Sequence, residues 1–334
     1  MEYKKIIKKY EKKNILIRVD SGNIIGIGHI KRCLNLAKYL KSINCNIFFC
    51  TKKHNGFLTD DNYFFYKLDV DYNIDYDYNT WLGSDINKEV DIISKICKEQ
   101  NIDLIIIDHY NINYKWENLI LQKNVNIKLF VIDDLFRKHN CHYFLSQYYS
   151  KNPRFDLNLD CIKLIGPKYC IFDEDLIDPK FKRTDYKIKN ILISFGGSDS
   201  LNLTEQIIDN LLQNYNEFIK YEYFVILGPC YKYTNKLIKK TKTYKNIKIY
   251  FNIDAIKMKS ILKLTQLCIG TLGMSTYERL YYDIRNIIIT IAENQIQSAK
   301  DLHEDKQILY LGYYKNIYIK NINIYILIWK IKTY

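Results

Sequence analysis

The sequence contains little proline and little glycine, 4 and 12 of 334 residues. So few prolines exclude Pro-rich linkers, and a hydrophobic content of 48% excludes general disorder. No stretch reaches the roughly 18 apolar residues of a transmembrane helix, so we expect no membrane partner. The nearest, Ile322–Trp329, is short and lies between Lys320 and Lys330, and we expect it to form a strand or a terminal helix.

Targeting signals and cysteine-based sites are also missing. The first residues, MEYKKIIKKYEKKN, contain no apolar core of a signal peptide, so we expect a cytoplasmic protein. The nine cysteines are an odd number and include no C-x-x-C pair, which indicates neither a disulfide framework nor a zinc site.

The net charge of +13 would by itself suggest a nucleic-acid partner. However, the lysines are spread along the chain and are not gathered in one arm or face. Isoleucine, asparagine, lysine and tyrosine, which AT-rich codons encode, are abundant throughout, so the charge reflects composition. We therefore expect a small-molecule partner and no nucleic acid.

Short apolar runs alternate with amphipathic stretches along the first half of the chain. The runs are continuous, which is typical of parallel strands that helices cover on both faces. The pattern predicts strands over Asn14–Val19, Asn46–Cys50, Leu104–Asp108 and Lys128–Asp133, and helices over Ile30–Leu40, Ile86–Glu99 and around Asn118–Gln122.

The same pattern starts again after a charged stretch at Asp173–Lys189. It predicts a helix over Leu203–Gln213 and strands over Asn190–Phe195, Tyr223–Leu227, Lys248–Phe251, Gln266–Ile269 and Asn286–Ile291. Such alternation is typical of doubly wound α/β folds. We expect two Rossmann-like domains, 14–175 and 187–318, followed by a tail, 319–334. A substrate would bind in a central cleft, at the carboxyl ends of the strands.

The segment Arg18–Ala37, RVDSGNIIGIGHIKRCLNLA, carries the sharpest motif. A predicted strand ends at Asp20, a loop holds Gly26 and Gly28, and His29 opens an amphipathic helix. Glycines before a helix let backbone N–H groups approach an anion, which the helix dipole favours. Histidine can accept a proton near neutral pH, as a general base must. The alternative is an ordinary turn with His29 as a helix cap, and the third glycine of a dinucleotide-binding loop is missing.

Further motifs follow in a fixed order. They are IDHY at 107–110, IDDL at 132–135, GPKY at 166–169, FGGSDSLNLT at 195–204, GTLGMSTYER at 270–279 and AENQ at 292–295. Together with the N-terminal segment, they resemble the UDP-sugar hydrolases of the pseudaminic-acid pathway and the related spore-coat polysaccharide proteins. The resemblance covers residues 14–312, and those enzymes are similar to the family B (GT-B) glycosyltransferases.

The resemblance implies a GT-B-like fold and hydrolysis of a UDP-linked diacetamido-trideoxyhexose. UDP would be released with inversion at the anomeric carbon, and His29 would be the general base. In the first half, the resemblance implies substrate contacts from Asp20, Gly26, Gly28, Arg32, Asp108, His109 and Tyr110. In the second half, it implies contacts from Gly197, Ser198, Gly273, Ser275, Thr276, Glu278, Asn294 and Gln295.

Simple physical arguments support some of these roles and leave others open. Small residues at Gly197 and Ser198 permit close approach of phosphate oxygens, whereas Asp199 would repel a diphosphate and is expected to cap the next helix. The resemblance places Glu278 on the ribose of the nucleotide, but a glutamate in a first helical turn is also favoured by the dipole alone. Asp108 could likewise simply end a strand.

No metal and no cofactor are expected. Asp133 and Asp134 are adjacent on a strand and therefore point to opposite faces, so at most one faces the substrate. The Asp-x-Asp triplets lie in tyrosine-rich or charged connections that we expect to be solvated loops; they are Asp69/Asp71, Asp75/Asp77 and Asp173/Asp175. Helix N-termini and hydroxyl groups would instead stabilise the leaving diphosphate.

Two other functions remain open, because a fold does not fix a reaction. One is a GT-B glycosyltransferase, in which a sugar acceptor replaces water; the other is a nucleotide-sugar-binding protein without turnover. The sequence departs from the family pattern at Asp173, at Ile284–Asn286 and in the C-terminal tail, which leaves the sugar undetermined. We expect a monomer. The remaining histidines are expected to be surface or structural residues; they are His54, His139, His142 and His303.

Overall fold

The computed structural model describes residues 2–135, 137–153, 155–319 and 324. The chain forms two compact units, residues 1–171 and 172–334. The charged segment after Ile171 belongs to the second unit, because Leu176 and Phe181 pack on the core of that unit. The Tyr282 hydroxyl also donates a hydrogen bond to the Leu176 carbonyl at 2.6 Å.

The first unit is a parallel sheet with helices on both faces. Its strands are β1 (Asn14–Val19), β2 (Asn46–Lys52), β3 (Phe64–Leu68), β4 (Leu104–Asp108), β5 (Lys128–Ile132), β6 (Lys138–His139), β7 (Tyr143–Ser146), β8 (Asp156–Leu157) and β9 (Ile162–Ile165). Its helices are α1 (Tyr3–Ile7), α2 (Gly28–Ser42), α3 (Ile86–Glu99) and α4 (Tyr114–Lys123). Within the described residues, the main sheet has the order β3-β2-β1-β4-β5-β7-β9, and β6 pairs with β8 separately.

Successive residues of β1 enter two different hydrophobic cores. Ile15 and Ile17 pack with α2, which contributes Leu36. Leu16 packs on the other face with α3 and α4. Because side chains of a strand alternate between faces, only a strand covered on both sides can be apolar at every position. The continuous apolar runs in the sequence therefore fold as predicted.

The second unit repeats this architecture. Its strands are β10 (Asn190–Ser194), β11 (Glu222–Leu227), β12 (Ile247–Phe251), β13 (Leu267–Thr271), β14 (Arg285–Thr290) and β15 (Leu309–Tyr313). Its helices are α5 (Leu203–Leu212), α6 (Tyr215–Phe218), α7 (Thr234–Thr241), α8 (Ala255–Leu264), α9 (Met274–Tyr281) and α10 (Ile296–Glu304). In the described residues, the sheet is parallel and has the order β12-β11-β10-β13-β14-β15.

The predicted strands and helices are confirmed, with ends that differ by a few residues. Among the strands of the two main sheets, the sequence did not predict β3, β7, β9 and β15. Three of these lie at sheet edges, where half-exposed positions interrupt the apolar run; β7 is only four residues long. The predicted element at 322–329 lies outside the described residues except for Ile324.

The longest of the described helices, α2, has 15 residues, and none of these helices is both long and apolar enough to cross a membrane.

Strand order identifies where each unit is suited to bind a ligand. In the first unit, the chain leaves β1 on one side toward β2 and returns on the other side as β4. In the second unit, the chain likewise leaves β10 on one side toward β11 and returns on the other side as β13. Loops that follow such a pair of strands diverge and leave a crevice at the carboxyl edge of the sheet. The loops after β1, β4, β10 and β13 carry most of the predicted site residues.

Candidate active site

His29 lies in the first turn of α2, directly after the glycine loop. Gly26 has a φ of +84°, a conformation that glycine adopts without strain. The Gly26 amide donates to the Gly22 carbonyl at 2.7 Å, and the Gly22 amide donates to the Gly26 carbonyl at 3.2 Å. The N-cap of α2 is Ile27, and no side chain makes a capping hydrogen bond there. The alternative interpretation of His29 as a cap is therefore wrong.

The imidazole of His29 instead pairs with Asp108, the last residue of β4. His29 Nδ1 lies 2.6 Å from Asp108 Oδ1, and the His29 side chain is only 11% exposed. Since a carboxylate only accepts hydrogen bonds, Nδ1 carries the hydrogen, and Nε2 of the neutral ring is an acceptor. The pair thus holds a basic nitrogen in one orientation, which is what a general base requires.

Arg32, one turn after His29 on α2, fixes Asp108 from another side. Arg32 Nε and Nη2 donate to the two Asp108 oxygens at 2.5 and 2.7 Å, and Nη1 donates to Asp134 at 2.8 Å. Burial alone would raise the pKa of Asp108, but Arg32 and His29 hold that pKa below its usual range. Asp108 is therefore a carboxylate at neutral pH. The Arg32 donors point into this network, so Arg32 acts on the site through Asp108.

Asp20, in the loop after β1, is enclosed by a second polar network. It accepts two hydrogen bonds from Arg18 at 2.6 and 2.9 Å and one from the Lys52 amide at 2.7 Å. The Asn111 amide donates to His109 Nδ1 at 3.1 Å, so His109 Nε2 carries the hydrogen and donates to Asp20 at 3.0 Å. Burial opposes ionisation of Asp20, but Arg18 and then His109 lower its pKa well below the usual range. Burial lowers the pKa of His109, which stays neutral. These residues join the loops after β1 and β4.

Aromatic rings flank the imidazole on another side. The Tyr110 ring meets His29 edge to face, with centroids 4.6 Å apart. Trp81 stacks on Tyr110 at 5.8 Å and lies 6.3 Å from His29, with its ring nearly perpendicular to the imidazole. Tyr78 reaches Tyr110 at 6.3 Å. His29 is therefore held between a carboxylate and an aromatic wall.

Asp133 and Asp134 separate onto two faces, as predicted from their adjacency. Whereas Asp134 accepts from Arg32, Asp133 Oδ2 accepts from His139 at 2.9 Å and from Arg137 at 3.0 Å. Arg137 in turn donates to the carbonyl of Tyr110. The Asp133 network thus supports the backbone of the loop that carries the aromatic wall.

His139 is buried between two carboxylates, which makes the stability of the first unit pH-dependent. Its nitrogens lie 2.6 Å from Glu117 and 2.9 Å from Asp133. Burial alone would lower the pKa of His139, but hydrogen bonds to Asp133 and Glu117 raise it to about 9. The imidazolium therefore stabilises the fold fully below the unfolded-state pKa of about 6.5, and this contribution is lost as pH rises through 9.

We expect the free energy of unfolding to fall by about 3 kcal/mol more in the wild type than in His139→Gln between pH 6 and pH 10. Urea denaturation followed by circular dichroism at four pH values would measure this difference. Parallel pH profiles of the two proteins would show that His139 is not charged in the fold.

The loop after β10 in the second unit is tightly packed. A Cβ atom on Gly228 would lie 2.2 Å from the Gly197 carbonyl oxygen, so only glycine allows this approach. Asp199 accepts hydrogen bonds from the first two amides of α5 at 2.8 Å each. The predicted capping role of Asp199 is thus confirmed, and it occupies two of the N–H groups at that helix start. Ser198 is exposed beside it.

The loop after β13 opens α9, with Gly273 as its N-cap. The Thr276 hydroxyl donates to the Thr271 carbonyl at 3.1 Å and accepts from Arg279 at 2.8 Å, which leaves no hydrogen for a ligand. The Ser275 hydroxyl accepts from Arg279 at 3.1 Å and retains its hydrogen as a donor. Glu278 is half-buried in the second turn.

The loop after β14 carries Asn294 and Gln295, both half-buried. The Gln295 side-chain oxygen accepts from the Ile291 amide at 3.0 Å and the Ala292 amide at 3.3 Å. This oxygen therefore shapes its own turn, and the amide nitrogen is the group that can turn to a ligand.

No protein-family model matches the sequence. An uncharacterised protein of Methanocaldococcus jannaschii is 28% identical over 296 residues, which cover 85% of this chain and 56% of the relative. The UDP-2,4-diacetamido-2,4,6-trideoxy-beta-L-altropyranose hydrolase of Campylobacter jejuni is 28% identical over 200 residues, 59% of this chain and 65% of the relative. The chain thus spans less than two thirds of both curated relatives.

Solved structures align over nearly the whole chain at low sequence identity. MurG of Acinetobacter baumannii covers 95% of this chain and 91% of its own length, with 14% identity and a TM-score of 0.65. The S. aureus MnaA–UDP structure covers 96% and 88%, with 10% identity and a TM-score of 0.60. The chain has the GT-B fold. Its two Rossmann-like units correspond to the two units of that fold, as the sequence predicted.

Trp81 lies beside His29 and Tyr110, and Tyr78 lies beside Tyr110; the sequence analysis did not single out either residue. They lie in the tyrosine-rich segment DYNIDYDYNTW, which was interpreted as a solvated loop. A tryptophan among so many polar residues was the available signal, since large aromatic rings seldom remain fully exposed.

The aspartates of the Asp-x-Asp triplets in this region accept hydrogen bonds within turns or form ion pairs with lysines. Asp75 accepts from the Asp77 amide at 2.8 Å, and Asp71 pairs with Lys88 at 2.6 Å. Asp69 pairs with Lys53 at 2.5 Å. In the described part of the chain, no three His, Cys, Asp or Glu side chains are grouped as metal ligands.

Proposed function

We propose that this protein hydrolyses a UDP-sugar at the anomeric carbon. The observation that carries the proposal is the pair of His29 Nδ1 and Asp108 Oδ1, 2.6 Å apart, at the crevice between the loops after β1 and β4. The similarity to the C. jejuni hydrolase over 200 residues supports the same reaction and a place in nonulosonic-acid or surface-polysaccharide synthesis.

In the proposed reaction, His29 Nε2 takes a proton from a water molecule as the water oxygen bonds to the anomeric carbon. The bond from that carbon to the diphosphate oxygen breaks, and its electron pair leaves with UDP. The second hydrogen of the water remains on the new anomeric hydroxyl. Asp108 stabilises the imidazolium that forms, because the carboxylate is already ionised and bonded to Nδ1. A single direct displacement inverts the configuration at carbon.

The second unit is proposed to hold UDP. The N-terminus of α9 offers backbone N–H groups and the Ser275 hydroxyl to the diphosphate, and Gly197 permits close approach of a phosphate. Glu278 would accept hydrogen bonds from the ribose hydroxyls. Asn294 and the Gln295 amide nitrogen are further donors on the adjoining loop.

A panel of UDP-sugars, with UDP release followed by chromatography, tests the proposal. We expect UDP and a free sugar to form without any acceptor. Turnover should continue in excess EDTA, because helix N–H groups and hydroxyls stabilise the leaving group. UDP release only after addition of a sugar acceptor would identify a glycosyltransferase, and UDP binding without release would identify a binding protein.

Glu278→Ala should weaken UDP binding by roughly 1.5–3 kcal/mol, the scale of hydrogen bonds to a charged group. Isothermal titration calorimetry with UDP would measure the change. Uridine should lose a similar amount of affinity, since the ribose is common to both ligands. Unchanged affinity for UDP would mean that Glu278 does not contact the ribose.

A further inference from the structure

The segment between β3 and α3 is tied to the loop that follows β4. Asn111, just after β4, accepts a hydrogen bond from the Leu82 amide at 3.1 Å and donates to the Asn79 carbonyl at 2.8 Å. Trp81 lies between these two contacts and donates its indole Nε1–H to the Asp75 carbonyl at 3.1 Å. The hydrogen bonds of Asn79 and Leu82, on either side of Trp81 in the chain, and the bond from the indole to Asp75 therefore fix the position of the ring.

This anchoring determines what Trp81 can offer to a ligand. An indole has one hydrogen-bond donor and no acceptor, and that donor is already committed to Asp75. The ring surface that remains is carbon only. Trp81 is half-buried, its inner side stacks on Tyr110, and His29 stands edge-on 6.3 Å away.

The carboxylates of Asp20, in the loop after β1, and of Asp108, at the end of β4, are also committed. Both oxygens of Asp108 accept from Arg32 or His29, and Asp20 is enclosed by its own network. A substrate atom that lies on the Trp81 ring therefore meets carbon atoms and no free carboxylate. A hydroxyl pressed against that surface would lose its hydrogen bonds to water without replacement, whereas a C–H group would lose none.

We propose that Trp81 is a sugar-contacting, specificity-determining residue, which packs on a deoxygenated carbon of the sugar and discriminates against a hydroxyl at that position. The inference rests on the proposed function, because it takes the group beside His29 to be the sugar of a UDP-sugar. Tyr110 supports the indole from behind, and Tyr78, 39% exposed, extends the same surface.

Binding on a background without turnover tests this role. His29→Asn removes the base with little change in size, so UDP-sugars survive the titration. Calorimetry would compare UDP-N-acetylglucosamine, its 6-deoxy analogue and UDP alone in this parent, and in the parent with Trp81→Ala or Trp81→Phe. Tyr76→Ala is the matched control, because Tyr76 lies in the same segment but is 85% exposed.

In the parent, we expect the 6-deoxy sugar to bind about tenfold more tightly than its hydroxylated partner, the scale of one group in an apolar pocket. Trp81→Ala should bring the two affinities together and leave the affinity for UDP unchanged. Trp81→Phe should preserve the preference, and Tyr76→Ala should change nothing. Equal melting temperatures of the variants would confirm that each of them folds.

Four results would overturn the inference, and each has a different meaning. Equal affinity of the parent for the two sugars, or a preference that persists in Trp81→Ala, would exclude Trp81 as the discriminating contact, while UDP release by the wild type would uphold the proposed function. Loss of UDP binding together with the sugar preference would give Trp81 a structural role. Failure of the wild type to bind UDP or any UDP-sugar would remove the proposed function, and the inference with it.

Discussion

Replacing His29 by alanine should reduce kcat by about 100- to 10,000-fold, the usual cost of removing a general base. The affinity for UDP should stay the same, because His29 belongs to the first unit and the proposed UDP groups belong to the second. Single-turnover measurements of UDP release and calorimetry with UDP would separate the two quantities. A His29→Ala protein with wild-type kcat would exclude the assignment.

We expect the loss of kcat in His29→Ala to reflect lost proton transfer and not unfolding, because neighbouring groups keep the site folded. Asp108 still pairs with Arg32 in this variant, so the ion-pair network that joins α2 to β4 persists. We therefore expect a melting temperature close to that of the wild type. Large destabilisation would instead mean that the imidazole chiefly supports the fold, and the kinetic result would then need His29→Asn for comparison.

Asp108→Asn should be nearly as damaging to turnover and should also destabilise the protein. The amide cannot hold His29 Nδ1–H and both Arg32 donors at once, so the imidazole loses its fixed tautomer, with an expected cost of about 100- to 10,000-fold in kcat. Removing one partner of a buried ion pair costs about 3–5 kcal/mol of unfolding free energy. Pre-steady-state kinetics and urea denaturation would measure the two effects.

Asp134→Asn is the matched control for Asp108→Asn. It removes the other buried carboxylate that pairs with Arg32, at 2.8 Å, but leaves the bond between His29 and Asp108 in place. We expect a comparable loss of stability with a much smaller loss of kcat. Equal kinetic losses in both variants would show that Arg32, and not the orientation of His29 by Asp108, is what turnover requires.

The sequence by itself determined the strands and the loops that carry the site. A run such as Leu104–Ile107 is apolar at successive positions, and this local property predicts a doubly covered strand wherever the run is placed. Gly26 before α2, and Asp199 before α5, act on residues only a few positions away, so the turn and the helix cap could also be predicted. The ordered motifs pointed to the GT-B fold through their resemblance to a known family.

Only the tertiary structure decided what each polar side chain contacts. His29 and Asp108 are 79 residues apart in the chain and meet because β1 and β4 are neighbours in the sheet. Asp20 could have faced a ligand, yet Arg18 and His109 enclose it. Trp81 lies beside His29 and Tyr110 because the amide of its neighbour Leu82 bonds to Asn111, 29 residues further along the chain. Periodicity and propensity describe near neighbours, whereas these contacts depend on strand order and on which buried charges find partners, and this is why the fold could be predicted more completely than the site.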